Sequence, residues 1–243
     1  MTEAVLLGAD WHMPAYRFHD TRAPSHDWLH DALVEAYGMD RETWSVGIVE
    51  GVMARLHKVL PPSVRLTPVV LWLRPLTAFT TPGHYVYVSR RLLERPLSDD
   101  AVALMLAHEA AHHELGHVEL FQGWLRHLPR GIPGTILAAA YRLAERRVYG
   151  PERELAADAR GLELCLAAGY EGRLCLRLFD ILSADAEDRG DLAGAFGPDE
   201  EIDPLIADKL YAKASVWLWE RLRGYPSLRR RHELLRARLS KHP

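Results

Sequence analysis

The sequence predicts an α+β chain, mostly helical, with a small sheet placed just before one long central helix. Three observations predict it. Two strand signals, Thr67-Pro68-Val69-Val70-Leu71-Trp72-Leu73 and His84-Tyr85-Val86-Tyr87-Val88-Ser89, stand close together and are rich in β-branched and aromatic residues. Nearly everything after them carries helical spacing between Gly and Pro breaks. One of those helical stretches, Leu106 to His117, holds the pattern HExxH twice, back to back.

Composition narrows the class. A chain of 243 residues is long enough for one large domain with a proper core. Apolar content of 48% and charged content of 26% are those of a soluble globular protein. A net charge of −3 lacks the basic excess of a nucleic-acid binder. Two cysteines, Cys165 and Cys175, make no disulfide framework and read as small buried apolar groups. Met1 to Asp10 has no basic segment of the kind that opens a secretory leader. The longest later apolar run, Ile132 to Tyr141, falls short of the ~20 residues of a membrane span. A cytoplasmic protein without an integral membrane segment is expected.

Residues 1–25, with Pro14 and Pro24 and no period, read as an N-terminal arm packed over a single domain of residues 26–243. Ser25 is placed to cap a helix through Tyr37, which Gly38 ends. Asp40 is placed to cap a second, carrying Trp44, Ile48, Val52 and Leu56 on one face before Pro61-Pro62. After the strands, Ser98 caps the motif helix, with Asp99 and Asp100 at its positive end, and the helix is expected to run to about His127. Gly131 to Gly134 makes a break, and a short helix reaches Val148. Gly150-Pro151 starts another helix to about Ala168, and Arg173 to Ser183 continues helical. Asp185 to Asp203 reads as an acidic loop, Pro204 to Arg223 as an amphipathic helix, and Leu228 to Leu239 as a basic final helix after a break at Gly224 to Ser227.

The chemistry begins with His108-Glu109-Ala110-Ala111-His112 and His113-Glu114-Leu115-Gly116-His117. Residues four apart on a helix share a face, so two imidazoles can grip one ion while the Glu beside the first takes a proton from water. A catalytic zinc needs a third protein ligand. Glu154 and Asp158, four apart on a later helix, offer a carboxylate ligand and an acid to orient a ligand imidazole. Geometry alone leaves both copies open, since positions five apart differ by about 140° around the helix and so face different ways.

The order of further motifs resembles zinc metallopeptidases of the HtpX and CAAX-prenyl-protease type, within the gluzincins. The residues that carry this are Thr77-Ala78-Phe79, Pro82-Gly83, Tyr85-Val86-Tyr87-Val88, Leu92-Leu93, Ser98-Asp99-Asp100 and Leu106-Ala107-His108-Glu109-Ala110-Ala111-His112. Leu115-Gly116-His117, Glu154-Leu155-Ala156-Ala157-Asp158, and Tyr225-Pro226-Ser227 followed by Arg231 complete the set. The resemblance runs from about Val69 to Leu239. It implies a zincin-like metallopeptidase domain with a small β-sheet beside the HExxH helix. It implies Zn2+ held by His108, His112 and Glu154, with Glu109 as general base and Asp158 behind the ligands, and so selects the first copy.

Two departures stand out. Tyr225 occupies the place of the family's late His, and a phenol is also a hydrogen-bond donor to an oxyanion. Thr77 replaces the family's Asn. On this reading the chain is a zinc-dependent endopeptidase acting on a peptide or protein substrate, with Tyr225 and Arg231 stabilising the tetrahedral intermediate. The departures motivate the alternative of a metal-bearing but weakly active or inactive protein that binds a partner peptide. The strand from His84 to Ser89 is expected to accept a peptide by strand addition, as the cleft-edge strand of zincins does.

Overall fold

A three-stranded sheet with helices on both faces makes up the fold of the computed structural model. It describes residues 27–73, 76–119, 134–188 and 227–241, with the backbone alone at 27, 134–148 and 186–188. The strands β1 (Thr67–Leu71), β2 (Ala78–Thr80) and β3 (Tyr85–Ser89) lie in the order β1-β3-β2. β3 runs parallel to β1 and antiparallel to β2. The strand expected to take a peptide is therefore the middle of the sheet, and both its sides are already paired. β2, which pattern reading missed because three residues cannot display a period of two, is the edge strand instead. The outer side of β1 is bridged by Met39 opposite Leu71.

The alternation of side chains along the strands gives the sheet two apolar faces. Val70, Val86 and Val88 face a core shared with α2 (Thr43–Leu56) and α4 (Asp99–Glu114). Val69, Leu71, Phe79 and Tyr87 face a second core with Trp28, Leu29 and Leu33 of α1 (Asp27–Tyr37) and with Tyr149. α4 is buried on every side, from Ala101 to Ala107 without interruption and again at Ala110 and Ala111. A helix apolar all round belongs in the middle of a domain, and this one carries the motif there.

Helix ends show where sequence signals compete. Gly38 closes α1 at φ 75°. Asp40 does not cap α2, which starts at Thr43 behind Glu42. Its backbone N–H is taken by Val70 O across the bridge at 2.8 Å, and its carboxylate instead accepts from the Glu42 N–H at 3.2 Å and from Ser45 Oγ at 2.6 Å. A one-turn helix α3 (Arg90–Leu93) follows β3 directly. Ser98 caps α4, its hydroxyl accepting from the Ala101 N–H.

α4 ends at Glu114, well short of His127. Gly116 takes φ 72°, the Gly116 N–H donates to His113 O at 3.1 Å, and the His117 N–H donates to His112 O at 2.9 Å. This is a Schellman closure, which a glycine just past the helix makes cheap.

Beyond it, α5 (Gly134–Ala167) joins the two helices predicted on either side of Gly150, and the backbone breaks sharply there at φ 61°, ψ 168°. α6 (Gly172–Cys175) and α7 (Arg177–Asp188) divide the stretch predicted as one helix, and α7 takes in the first residues of the expected acidic loop. α8 (Leu228–Leu239) has the predicted bounds, with Ser227 as its cap. Cys165 and Cys175 are buried free thiols in the first core. The arm of residues 1–25, the remainder of the acidic loop, the helix expected at 204–223, and Tyr225 lie outside the described residues.

Candidate metal centre

Two helices supply the centre, and small residues let them meet. Gly161 of α5 rests on α4 so closely that a Cβ there would lie 2.9 Å from the His108 backbone nitrogen. That approach brings the first turns after Gly150-Pro151 beside the motif, where Pro151 is preorganised to begin a helix. Glu154 and Asp158 then point at α4 from successive turns, and both are buried.

His108 and His112 present their Nε2 atoms to one another at 3.1 Å. The Glu154 oxygens stand 3.6 Å from His108 Nε2 and 3.5 Å from His112 Nε2. One donor atom from each of the three residues lies within 4.8 Å of the others. Glu109 is buried on the same turn of α4. Two imidazole nitrogens and a carboxylate are the donor set of a catalytic divalent-metal site.

Behind these atoms lies a charged layer. Asp158 Oδ1 is 2.9 Å from His108 Nδ1, and the Arg231 guanidinium grips both Asp158 oxygens at 2.6 Å. Arg231 also reaches within 3.4 Å of Glu154. Burial pushes the Asp158 carboxyl up, but Arg231 and His108 outweigh it and hold the group ionised far below the usual carboxylate range. Burial disfavours charge on His108, and the hydrogen bond and charge of Asp158 reverse the balance. On His112, burial followed by the neighbouring imidazoles lowers the pKa well below the usual imidazole value and keeps the ring neutral with a lone pair available. Tyr149 stacks on the His112 ring with centroids 4.0 Å apart.

The second HExxH copy is dismantled by the end of the helix. His113 turns to β2, where its Nε2 meets Thr80 Oγ1. Glu114 is clamped by Arg160 through two hydrogen bonds of 3.0 and 2.8 Å. Arg160 in turn binds Glu163, and Glu163 binds Arg238 of α8. His117 lies past the Schellman glycine, so the spacing of four no longer means a shared face. Its Nδ1 instead sits 3.0 Å from His112 Nδ1.

His108, His112, Glu154, Asp158 and Arg231 are thus brought together by three helices, while Thr77 lies one residue before β2 with its hydroxyl donating to Ala78 O at 3.2 Å. Gly161 and Tyr149 are site neighbours that pattern reading passed over, whereas His117, read in the sequence as the end of the second copy and of the Leu-Gly-His motif, stands beside His112. Gly161 alone carried a signal, since a glycine inside a strong helix marks a close approach.

An α+β zincin-like domain with this donor set is that of a metallopeptidase. Residues 47–241 match the model of peptidase family M48, and the chain belongs to that family. No curated protein matches it in sequence. Among the described residues, no helix is long and apolar enough to cross a membrane.

Proposed function

We propose that the protein is a zinc-dependent endopeptidase in which His108, His112 and Glu154 hold the ion. The observation that carries this is the convergence of two Nε2 atoms and a carboxylate at one point between α4 and α5. A zinc ion bound there would supply Lewis acidity toward a peptide carbonyl and lower the pKa of water. The residues do the rest. Glu109, one position from a ligand, takes the proton of the attacking water and passes it to the leaving amine. Asp158 holds the Nδ1 proton of His108 and so aims its Nε2. Tyr225 and Arg231 are proposed to meet the developing oxyanion, and the hold of Asp158 on Arg231 supports a positioning share for this arginine as well.

The substrate chain is proposed to add to β2, the edge strand beside α4. The pairing of Phe79 with Tyr87 turns the backbone groups of Ala78 away from β3, where an extended peptide can meet them.

Cleavage of casein or a peptide library, with and without chelator, tests the reading alongside zinc analysis. Glu109→Gln is expected to lower turnover roughly 100- to 10,000-fold, while Glu114→Gln leaves it within a few-fold. The reverse order would place the site in the wrong copy. Zinc held without chelator-sensitive cleavage would instead mark a peptide-binding protein.

A further inference from the structure

We infer that His117 is the positioning residue of His112, accepting its Nδ1 proton and thereby fixing the tautomer and aim of a metal ligand. The inference rests on the reading of His108, His112 and Glu154 as ligands, and it concerns a residue that this reading leaves without a task.

A neutral imidazole carries one proton. With the Nε2 atoms of His108 and His112 turned inward to one point, each ring has its Nδ1 on the outer side. A ligand imidazole that gives its Nε2 lone pair inward must carry its proton on Nδ1, and that proton needs an acceptor. For His108 the atom in place is Asp158 Oδ1, 2.9 Å from Nδ1. For His112 the atom in place is Nδ1 of His117 at 3.0 Å, so His117 accepts there and keeps its own proton on Nε2.

The backbone explains why His117 is the residue available. In a Schellman closure the residue after the left-handed glycine folds back over the third residue from the helix end, and the contact between those two is commonly apolar. Here they are His117 and His112, already joined by the 2.9 Å backbone hydrogen bond. Their rings meet edge-on, 5.0 Å apart at 65°, which sets nitrogen against nitrogen rather than face against face. The opposing face is left to Tyr149, stacked at 4.0 Å. Tyr149 thus holds the plane of the His112 ring, and His117 holds its rotation within that plane. The two ligand imidazoles are backed unequally, one by a carboxylate and one by a neutral imidazole.

Zn2+ affinity of the full chain, measured by competition with a chromophoric chelator, tests this. The branch point of Asn puts its amide oxygen where Nδ1 of His stands, whereas Gln carries its amide one bond further. His117→Asn is expected to stay within a few-fold of the wild-type affinity. His117→Gln and His117→Leu are expected to weaken it roughly 10- to 100-fold, with the visible spectrum of the Co2+ form altered in the same two variants. Should the Leu variant not fold, the Asn and Gln pair decides alone. Equal affinities for Asn and Gln, or wild-type affinity in the Leu variant, would overturn the role of His117 and leave the ligand assignment standing. A wild-type chain that takes up no Zn2+ would overturn both.

Discussion

Thr80 Oγ1 and His113 Nε2 lie 2.5 Å apart, joining the edge strand to the motif helix one residue past the last histidine of the site. The Thr80 hydroxyl donates to Tyr85 O at 2.9 Å, so it must accept from the His113 N–H. Burial first, and the His84 charge second, push the pKa of His113 down to about 4. The ring is neutral at physiological pH, and the strut fixes how far β2 stands from the donor atoms.

Thr80→Val keeps the shape and removes the acceptor, leaving the His113 N–H unpaired. It is expected to cost about 1–3 kcal/mol and to raise KM for a peptide, with Zn2+ affinity unchanged. Denaturant unfolding and steady-state kinetics check the two halves, and a lowered Zn2+ affinity would refute the division of labour.

Gly161→Ala addresses the helix contact. Its Cβ would meet the backbone of His108 and Ala107 at 2.9–3.2 Å, and neither can move aside as a side chain would. Separating α4 from α5 is expected to cost about 1–3 kcal/mol. Because Glu154 and Asp158 ride on the displaced helix, Zn2+ affinity should fall as well. An alanine variant with wild-type stability and affinity would show that the approach has slack.

Arg231→Met leaves Asp158 a buried anion without its cation, at an expected cost of about 3–5 kcal/mol. Adding Asp158→Asn to it should recover part of that loss, because the stranded charge is gone. Arg231→Lys should fall between, since an ammonium cannot match the paired grip. A double variant no more stable than Arg231→Met would refute the charge argument.

Asp40 gives stability a pH dependence. Burial would raise its pKa, but Ser45, the Glu42 N–H and Arg90 together lower it below the ordinary carboxyl value. The unfolded chain therefore binds this proton more readily than the folded one. The contribution is fully present above the ordinary carboxyl range and is lost as pH falls through the lowered folded value. Denaturant titrations from pH 7 to pH 3 should show a flatter decline in Asp40→Asn than in the wild type.

The two long strands and the bounds of α8 were legible because each has a local signature, β-branched runs and a Ser cap. Spacing of four fitted both HExxH copies, and only the family resemblance pointed to His108, His112 and Glu154. Local signals failed where tertiary contacts outbid them. Asp40 looks like a cap, but its backbone is committed to β1. The helix through Glu114 has further helix formers beyond it, yet Gly116 stops it, and one closure decides the fate of the second HExxH. β2 is visible only through its partner β3. Arg231 could be placed by spacing against a family pattern, but its grip on Asp158 spans 73 positions, and no local rule relates them.

That long span orders events in time. Asp158 and the histidines of α4 precede Arg231 in the chain, so a ribosome delivers the donor atoms well before the guanidinium that steadies the acid behind them. Until α8 has been made and has docked, a nascent chain holds its motif in full but has no cation on Asp158. The charge pair behind the donor atoms is therefore completed only after the 73 positions that separate Asp158 from Arg231 have been made.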